Sequence, residues 1–348
     1  MTRSKIIAAL TIAAAATFSF AGSADAQPNS ALRPDKTVLL YADRLTDNSD
    51  PVTAKDVTAA GFEMKEDNGL TGPETINKAG NIGNINTNAR FDLYFPEDPN
   101  GQMVIVCPGG GYSFASSYNE GVYVAEWMTG RGVTVAVVKY RMPAGHWNVP
   151  LTDIQNTFRY CREHASEWGV NQIGIMGFSA GGHLAATAST MYTDAATRPD
   201  FAVLIYPVIT MEKGITHGGT RQHLLGKDSV WEDRKGKDWN EWDSEKATFK
   251  HLLDSYSLER QVSTDTPETF IALCSDDKTV PAENSIRYYR ALIGCGVATE
   301  MHIYPTGGHG WGFSSEKYVA KDKFAYARGE FEVSLGRWLE EVHKKAEK

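Results

Sequence analysis

Short apolar runs alternate with helix-length segments from about residue 90 to the end of the chain. Continuous apolar runs such as 103–107 are typical of strands buried on both faces of a sheet. The predicted strands are 103–107, 133–138, 172–178, 201–206, 269–274 and 299–304, and the predicted helices are 121–129, 151–168, 180–191, 282–293 and 326–344. This alternation predicts an α/β fold, with a mostly parallel central sheet and helices on both of its faces.

Two segments depart from the alternation. Residues 27–87 carry many Asn, Asp, Thr and Gly and few apolar runs, which predicts an N-terminal extension packed on the domain with one added strand. Residues 211–262 are polar and Trp-bearing, and an insertion between late strands of such a sheet usually forms a lid over the site. We find no repeat or linker, so residues 88–348 are predicted to form one domain.

The N-terminus has the pattern of a secretory signal peptide over residues 1–26. Arg3 and Lys5 precede an apolar run over residues 6–21, and Ala24-Asp25-Ala26 provides small residues for cleavage. The alternative is a membrane anchor, but the run is short and alanine-rich for a span of about 20 residues. We therefore expect an exported protein, periplasmic or extracellular, that is not held in the membrane after cleavage.

Charge and cysteine content exclude several classes of protein. The chain has 35 basic and 43 acidic residues, a formal net charge of −8, and no basic stripe interleaved with aromatic residues. Such a surface repels phosphate backbones, so nucleic acid is not an expected partner. Four cysteines are too few for a disulfide scaffold, and whether any of them pair stays open, as does the oligomeric state. No metal-ligand spacing is present, which predicts no metal and no cofactor.

Residues 177–181 read Gly-Phe-Ser-Ala-Gly, which matches the G-x-S-x-G nucleophile elbow. In such an elbow the serine occupies a tight turn between a strand and a helix, and the glycines let the neighbouring backbones pass. An apolar strand leads into the motif and a helical segment follows it. This context favours Ser179 as a nucleophile over the alternative of an ordinary serine in a glycine-rich turn.

A glycine-rich segment follows the strand over 103–107 and reads Pro-Gly-Gly-Gly-Tyr over residues 108–112. Acyl transfer requires donors for the oxyanion, and glycine loops at this position commonly supply backbone N–H groups. Gly110, Gly111 and the residue after the serine, Ala180, are the predicted donors. The alternative is a simple tight turn.

The same chemistry requires a base and an acid, which follow the serine in the chain order acid, then histidine. Asp276 and Asp277 follow the strand over 269–274, and position alone does not choose between them. His309 lies on a glycine loop after the strand over 299–304, where it can reach a serine at the same sheet edge. His183, one turn into the helix after Ser179, is interpreted as structural.

With these motifs, the chain resembles the α/β-hydrolase superfamily, and within it bacterial carbohydrate esterases, namely acetylxylan esterases and related feruloyl esterases. The resemblance covers residues 88–340 and is carried by residues 106–112, 177–185, 198–208, 275–281 and 301–310. It implies that the acid is Asp277, three residues before Val-Pro. It also implies attack by Ser179 and release of acetate or a hydroxycinnamate from a sugar hydroxyl.

Aromatic side chains near the expected cleft could stack on sugars or aromatic acyl groups. Tyr112 and Trp311 are the predicted substrate-binding residues, together with the insertion residues Trp231, Trp239 and Trp242; the alternative is that they belong to the core. The segment formed by residues 231–250 is longer than the corresponding segment of the family. We predict a secreted serine esterase for acylated, xylan-type carbohydrates; the alternatives are a serine peptidase of the same fold and a non-catalytic carbohydrate-binding protein.

Overall fold

The computed structural model describes residues 32–42, 54–226, 249–313 and 325–346, which contain one large and one small sheet. The large sheet contains β1 (Lys36–Leu39), β2 (Asp56–Ala59), β5 (Arg90–Tyr94), β6 (Gln102–Cys107), β8 (Thr134–Lys139), β9 (Gln172–Phe178), β10 (Phe201–Ile205), β11 (Glu268–Cys274) and β12 (Thr299–Tyr304). The small antiparallel sheet contains β3 (Thr75–Ile76), β4 (Asn81–Gly83) and β7 (Phe114–Ser116).

The strands of the large sheet lie in the order β12-β11-β10-β9-β6-β8-β5-β1-β2. Strand β5 is antiparallel to both of its neighbours, and the other neighbouring pairs are parallel. Because β6, β9, β11 and β12 run in the same direction, their carboxyl ends meet at one edge. The segments that carry the candidate site residues all begin at that edge.

Helices cover both faces of the sheet. They are α1 (Tyr123–Thr129), α2 (Asn148–His164), α3 (Ser179–Thr190), α4 (Gly218–Leu225), α5 (Glu283–Gly294) and α6 (Ala325–Ala346). A Cβ added to Gly177 would lie 2.7 Å from the Cβ of Ala185 in α3, whereas one on Gly174 would meet the ring of Phe201. Phe201 packs edge-to-face on Trp338 of α6. Since residues three apart in a strand point to opposite faces, α3 and α6 lie on opposite sides.

The N-terminal extension contributes more strands than the single one predicted. Strands β1 and β2 lengthen the large sheet, and β3 and β4 form most of the small one. Among the described residues, three buried ion pairs lie next to this extension, Arg90–Glu74, Lys139–Asp92 and Arg141–Asp153, and the first of them joins the extension to β5. The guanidinium of Arg141 also donates to the carbonyl oxygen of Glu66 at 2.5 Å. The extension is therefore attached to the sheet by buried charges as well as by strand pairing.

The predicted fold class is confirmed. Each of the six predicted strands is present within one residue of its predicted bounds, and each of the five predicted helices is present with shifts of a few residues at its ends. All four cysteines have free thiols. No helix in the described part of the chain is long and apolar enough to cross a membrane. The predicted signal peptide, the three insertion tryptophans and residues 227–248 of the predicted lid lie outside the described residues.

Candidate active site

Ser179 occupies a tight turn at the junction of β9 and α3. Its φ is 54°, a left-handed conformation that is costly for a residue with a side chain. A Cβ on Gly177 would lie 2.1 Å from the carbonyl oxygen of Gly181, and one on Gly181 would lie 2.1 Å from that of Cys107. Only glycine fits at both positions, so the two glycines of the motif permit the turn. The turn places Ser179 at the N-terminus of α3, where the helix dipole favours negative charge.

Ser179, His309 and Asp277 form a continuous hydrogen-bonded series. The Ser179 Oγ lies 2.8 Å from His309 Nε2, and His309 Nδ1 lies 2.6 Å from an Asp277 carboxylate oxygen. A carboxylate only accepts, so Nδ1 carries the proton and Nε2 accepts from the serine hydroxyl. The Asp277 side chain is 1% exposed and that of His309 is 11% exposed, so little water competes for these contacts. The arrangement can withdraw the proton of Ser179 during attack on a carbonyl carbon.

The two neighbouring aspartates have different partners. Besides His309, Asp277 accepts hydrogen bonds from the amides of Thr279 and Val280 at 2.8 and 2.9 Å. Asp276 instead accepts from the amides of Gly307 and Gly308, just before His309. Asp277 therefore contacts the imidazole, while Asp276 fixes the loop that carries it.

The glycine loop after β6 lies against the serine. A Cβ on Gly109 would lie 3.0 Å from the Cβ of Ser179, and one on Gly110 would lie 2.0 Å from the Phe114 carbonyl oxygen. Among the described residues, the amides of Gly110, Gly111 and Ala180 have no hydrogen-bond acceptor. These three N–H groups are thus available to a ligand.

A buried carboxylate that the sequence analysis missed connects this loop to the histidine loop. Glu120 is 4% exposed; it accepts from the Gly109 amide at 2.7 Å and from the Tyr206 hydroxyl at 2.8 Å. The Tyr206 oxygen in turn accepts from the Gly312 amide at 2.8 Å, and its ring packs on that of His309. Burial raises the pKa of Glu120, while its hydrogen bond from Tyr206 and the charge of His309 oppose that rise.

Glu120 belongs to the wide helical turn Tyr118–Val122, which also holds the histidine loop directly. The Asn119 side chain donates to the Gly310 carbonyl oxygen at 3.1 Å, and the Phe313 amide donates to the Asn119 carbonyl oxygen at 3.1 Å. No sequence pattern marks Glu120, because burial of a charge depends on distant partners. Tyr206 was open to prediction, since it directly follows β10.

The two predicted aromatic binding residues are buried, so the prediction that they stack on substrate is corrected. Trp311 is 1% exposed and packs against Tyr206 and Phe331, with ring centroids 4.9 and 5.0 Å away. Tyr112 is 2% exposed, and its hydroxyl lies 3.0 Å from His183 Nδ1. Both rings are part of the core beneath the site, which is the alternative stated for them above.

His183 is structural, as the sequence suggested, and it supports the glycine loop through Tyr112. Its Nε2 lies 2.9 Å from the Tyr256 carbonyl oxygen, which can only accept. Nδ1 therefore accepts from the Tyr112 hydroxyl. Complete burial lowers the pKa of His183 to about 4, so the ring is neutral at neutral pH. Within the described residues, no three His, Cys, Asp or Glu side chains gather as a metal site would require.

Sequence comparison finds a family and several relatives. A family model for the alpha/beta hydrolase fold matches residues 104–313. The chain is 35% identical over 258 residues to an acetylxylan esterase from Xylanibacter ruminicola, a match that covers 73% of this chain and 48% of that protein. It is 30% identical over 246 residues to endo-1,4-beta-xylanase B from Butyrivibrio fibrisolvens, covering 66% of this chain and 35% of that protein. The chain thus spans about half or less of these curated relatives.

Solved structures give the same fold. An acetyl ester-xyloside bifunctional hydrolase from Caldicellulosiruptor lactoaceticus is 31% identical with a TM-score of 0.58, and the match covers 73% of this chain and 88% of that one. A sugar hydrolase from Lactococcus lactis is 25% identical with a TM-score of 0.60, and the match covers 74% of this chain and 96% of that one. The family match spans more than half of the chain and includes Ser179, Asp277 and His309. The chain belongs to the alpha/beta hydrolase fold family.

Proposed function

We propose that this chain is an exported serine esterase that removes acetyl or hydroxycinnamoyl groups from xylan-type carbohydrate esters through an acyl-enzyme. The observation that carries the proposal is the hydrogen-bonded series from Asp277 through His309 to Ser179. Three N–H groups on the loop and helix beside that serine have no acceptor among the residues that the structure describes. A nucleophile, an oriented base and oxyanion donors are together what acyl transfer requires.

In the first half of the proposed reaction, Ser179 Oγ attacks the ester carbonyl carbon while its proton moves to His309 Nε2. Asp277 stabilises the imidazolium that forms. The carbonyl oxygen becomes an oxyanion and accepts hydrogen bonds from the amides of Gly110, Gly111 and Ala180. Since the α3 N-terminus lies at Ser179, its dipole lowers the energy of that negative charge further.

In the second half, the tetrahedral intermediate collapses and its bond to the sugar oxygen breaks. His309 gives its proton to that oxygen, which leaves as a sugar hydroxyl, and the acyl group stays on Ser179 as an ester. A water molecule then attacks the acyl carbon while His309 takes one of its protons. Collapse of this second intermediate releases the carboxylic acid and returns the proton to Ser179.

The substrate class is supported by the relatives. The Xylanibacter protein is named an acetylxylan esterase, and the Caldicellulosiruptor structure is described as an acetyl ester-xyloside bifunctional hydrolase. Both are more than 30% identical to this chain and favour acetyl as the acyl group. A polymeric substrate outside the cell also agrees with the export pattern of residues 1–26.

The test compares wild type with Ser179→Ala on acetylated xylan and on a methyl hydroxycinnamate. We expect the wild type to release acetate and the variant to lose turnover by about 10⁴-fold or more, because the triad acts as a unit. Ser189→Ala is the matched control, since within the described chain this buried α3 hydroxyl donates to the Ala185 carbonyl oxygen and has no other partner. A fluorophosphonate probe should label wild type and not Ser179→Ala. Equal activity of wild type and Ser179→Ala would refute the assignment.

A further inference from the structure

His217 precedes α4 and lies beside the glycine loop, although no motif in the sequence pointed to it. A Cβ on Gly111 would lie 3.5 Å from His217 Cε1. The helix is fixed to the same loop by a second histidine, since His223 Nδ1 donates to the Gly111 carbonyl oxygen at 2.7 Å. The Gly145 amide donates to the His223 carbonyl oxygen at 2.8 Å, which gives α4 a second contact outside the helix. These contacts fix the position of the His217 ring relative to the glycine loop.

The contacts of His217 decide which of its nitrogens carries the proton. The Thr220 amide donates to His217 Nδ1 at 3.2 Å, and the Thr220 hydroxyl lies 2.8 Å from the same nitrogen. An amide N–H can only donate, so Nδ1 is the acceptor and the neutral ring carries its proton on Nε2. Among the described residues, Nε2 has no hydrogen-bond partner. His217 is half-buried, so this N–H can still be reached by a ligand.

The surroundings also keep the ring neutral. Partial burial lowers the pKa of His217, and the charges of His309 and His223 lower it further, against an opposing effect of Asp277. The ring contacts Gly111, and the neighbouring Gly109 lies against Ser179, so His217 is on the same side of the sheet as the proposed triad. At neutral pH His217 is thus an uncharged donor with one free N–H.

We propose that His217 Nε2 donates a hydrogen bond to a hydroxyl or ring oxygen of the sugar part of the ester substrate. The inference rests on the proposed function. In an acetyl ester the carbonyl oxygen is bound by the backbone amides, and the bridging oxygen receives its proton from His309. The acetyl methyl group has no acceptor. The acceptors that remain for His217 are therefore on the alcohol, and the residue acts on substrate choice rather than on bond cleavage.

The experiment measures kcat/KM for an acetylated xylo-oligosaccharide and for phenyl acetate, whose alcohol part has no further hydroxyl. His217→Asn is the test variant, because Asn is a preferred helix cap and can still accept from the Thr220 amide, while its shorter side chain removes the imidazole donor. We expect kcat/KM for the oligosaccharide to fall by about threefold to tenfold, the contribution of one uncharged hydrogen bond. The value for phenyl acetate should stay within about twofold.

The ratio of the two values is the readout, since a loss of folded protein lowers both equally. His251→Asn is the matched control: His251 is exposed and contacts Ser255 on its own helical segment. An unchanged ratio in His217→Asn, with an active wild type and an inactive Ser179→Ala, would overturn this inference and leave the proposed function standing. Absence of turnover of both esters by wild type would overturn the proposed function and this inference with it.

Discussion

Two regions in the described part of the chain contain buried charges that are satisfied in different ways. In the ion-pair region, beside the N-terminal extension, Arg90–Glu74, Lys139–Asp92 and Arg141–Asp153 each join a cation to a carboxylate, with every side chain at most 3% exposed. In the triad region, around Ser179, the described partners of Glu120 are an amide N–H and a phenol. The carboxylate of Asp277 likewise contacts two amides and an imidazole.

The difference teaches what each kind of burial can do. A carboxylate neutralised by a fixed cation resists rearrangement and holds two segments together, at a desolvation cost that its partner offsets. A carboxylate held by neutral dipoles keeps its charge uncompensated until a cation forms nearby. In the proposed reaction that cation is the imidazolium of His309, which forms as Ser179 attacks. The ion-pair region thus serves the architecture, and the triad region suits charge development.

The largest expected effect is on stability in the ion-pair region. Asp153→Asn removes the carboxylate whose two oxygens accept from Nε and Nη2 of Arg141, leaving a buried guanidinium without its counter-charge. We expect the free energy of unfolding to fall by about 3–5 kcal/mol, measured by urea denaturation at pH 7. The kcat of the folded enzyme should change less than about twofold. The exposed pair Arg159–Asp194 gives the control, since Asp194→Asn should leave the free energy of unfolding close to that of wild type. A large loss of kcat in Asp153→Asn would show that the ion-pair region also affects catalysis, which would contradict the separation of the two regions.

A second effect concerns pH and the buried neutral ring of His183. Its pKa is about 4 in the folded protein and near 6.5 when unfolded. As pH falls from 6.5 to 4, the unfolded chain binds a proton that the folded chain does not, so stability is lost over that window. The loss amounts to about 3 kcal/mol. Urea denaturation between pH 7 and 4 should show a shallower decline in His183→Gln than in wild type, with exposed His251→Gln unchanged. If stability declined equally with pH in wild type and in His183→Gln, His183 would not be a buried neutral ring in the folded protein.

The smallest effect tests the charge of Glu120. Glu120→Gln keeps the shape of the side chain and an acceptor for the Gly109 amide but removes the negative charge near His309. We expect kcat/KM to fall about tenfold, because a nearby charge stabilises the imidazolium by about 1.4 kcal/mol. The acid limb of the pH profile should move to lower pH, since loss of a negative neighbour makes the base weaker. A tenfold loss with an unmoved profile would indicate a purely structural role, and the contrast with Asp153 would then disappear.

The sequence predicts the fold well wherever burial and residue type agree. The continuous apolar strands were found within one residue of their bounds. Strand β5 was missed, because Arg90 and Asp92 look like exposed positions in the sequence. Both are buried in the structure, where Glu74 and Lys139 supply the opposite charges. The partners that make this burial possible lie 16 and 47 residues away in the chain, so the local sequence pattern does not reveal them.

In the candidate site, too, local patterns predict some residues, whereas residues whose roles depend on distant partners are missed. Ser179 and His309 could be predicted because each follows a strand, in a motif whose glycines have a steric purpose. Asp277 was separated from Asp276 only by resemblance, and their contacts now distinguish them. Tyr112 and Trp311 were misplaced because aromatic residues near a site look alike in sequence whether they line a cleft or lie beneath it. Glu120 and His217 were missed because their roles depend on three-dimensional neighbours.

The turn Tyr118–Val122 contacts both loops on which the proposed chemistry depends. Glu120 holds Gly109 and Asn119 holds Gly310. The distance between the proposed oxyanion amides and the His309 imidazole therefore depends on the length of this five-residue turn. Insertion of a single residue there would displace both loops together.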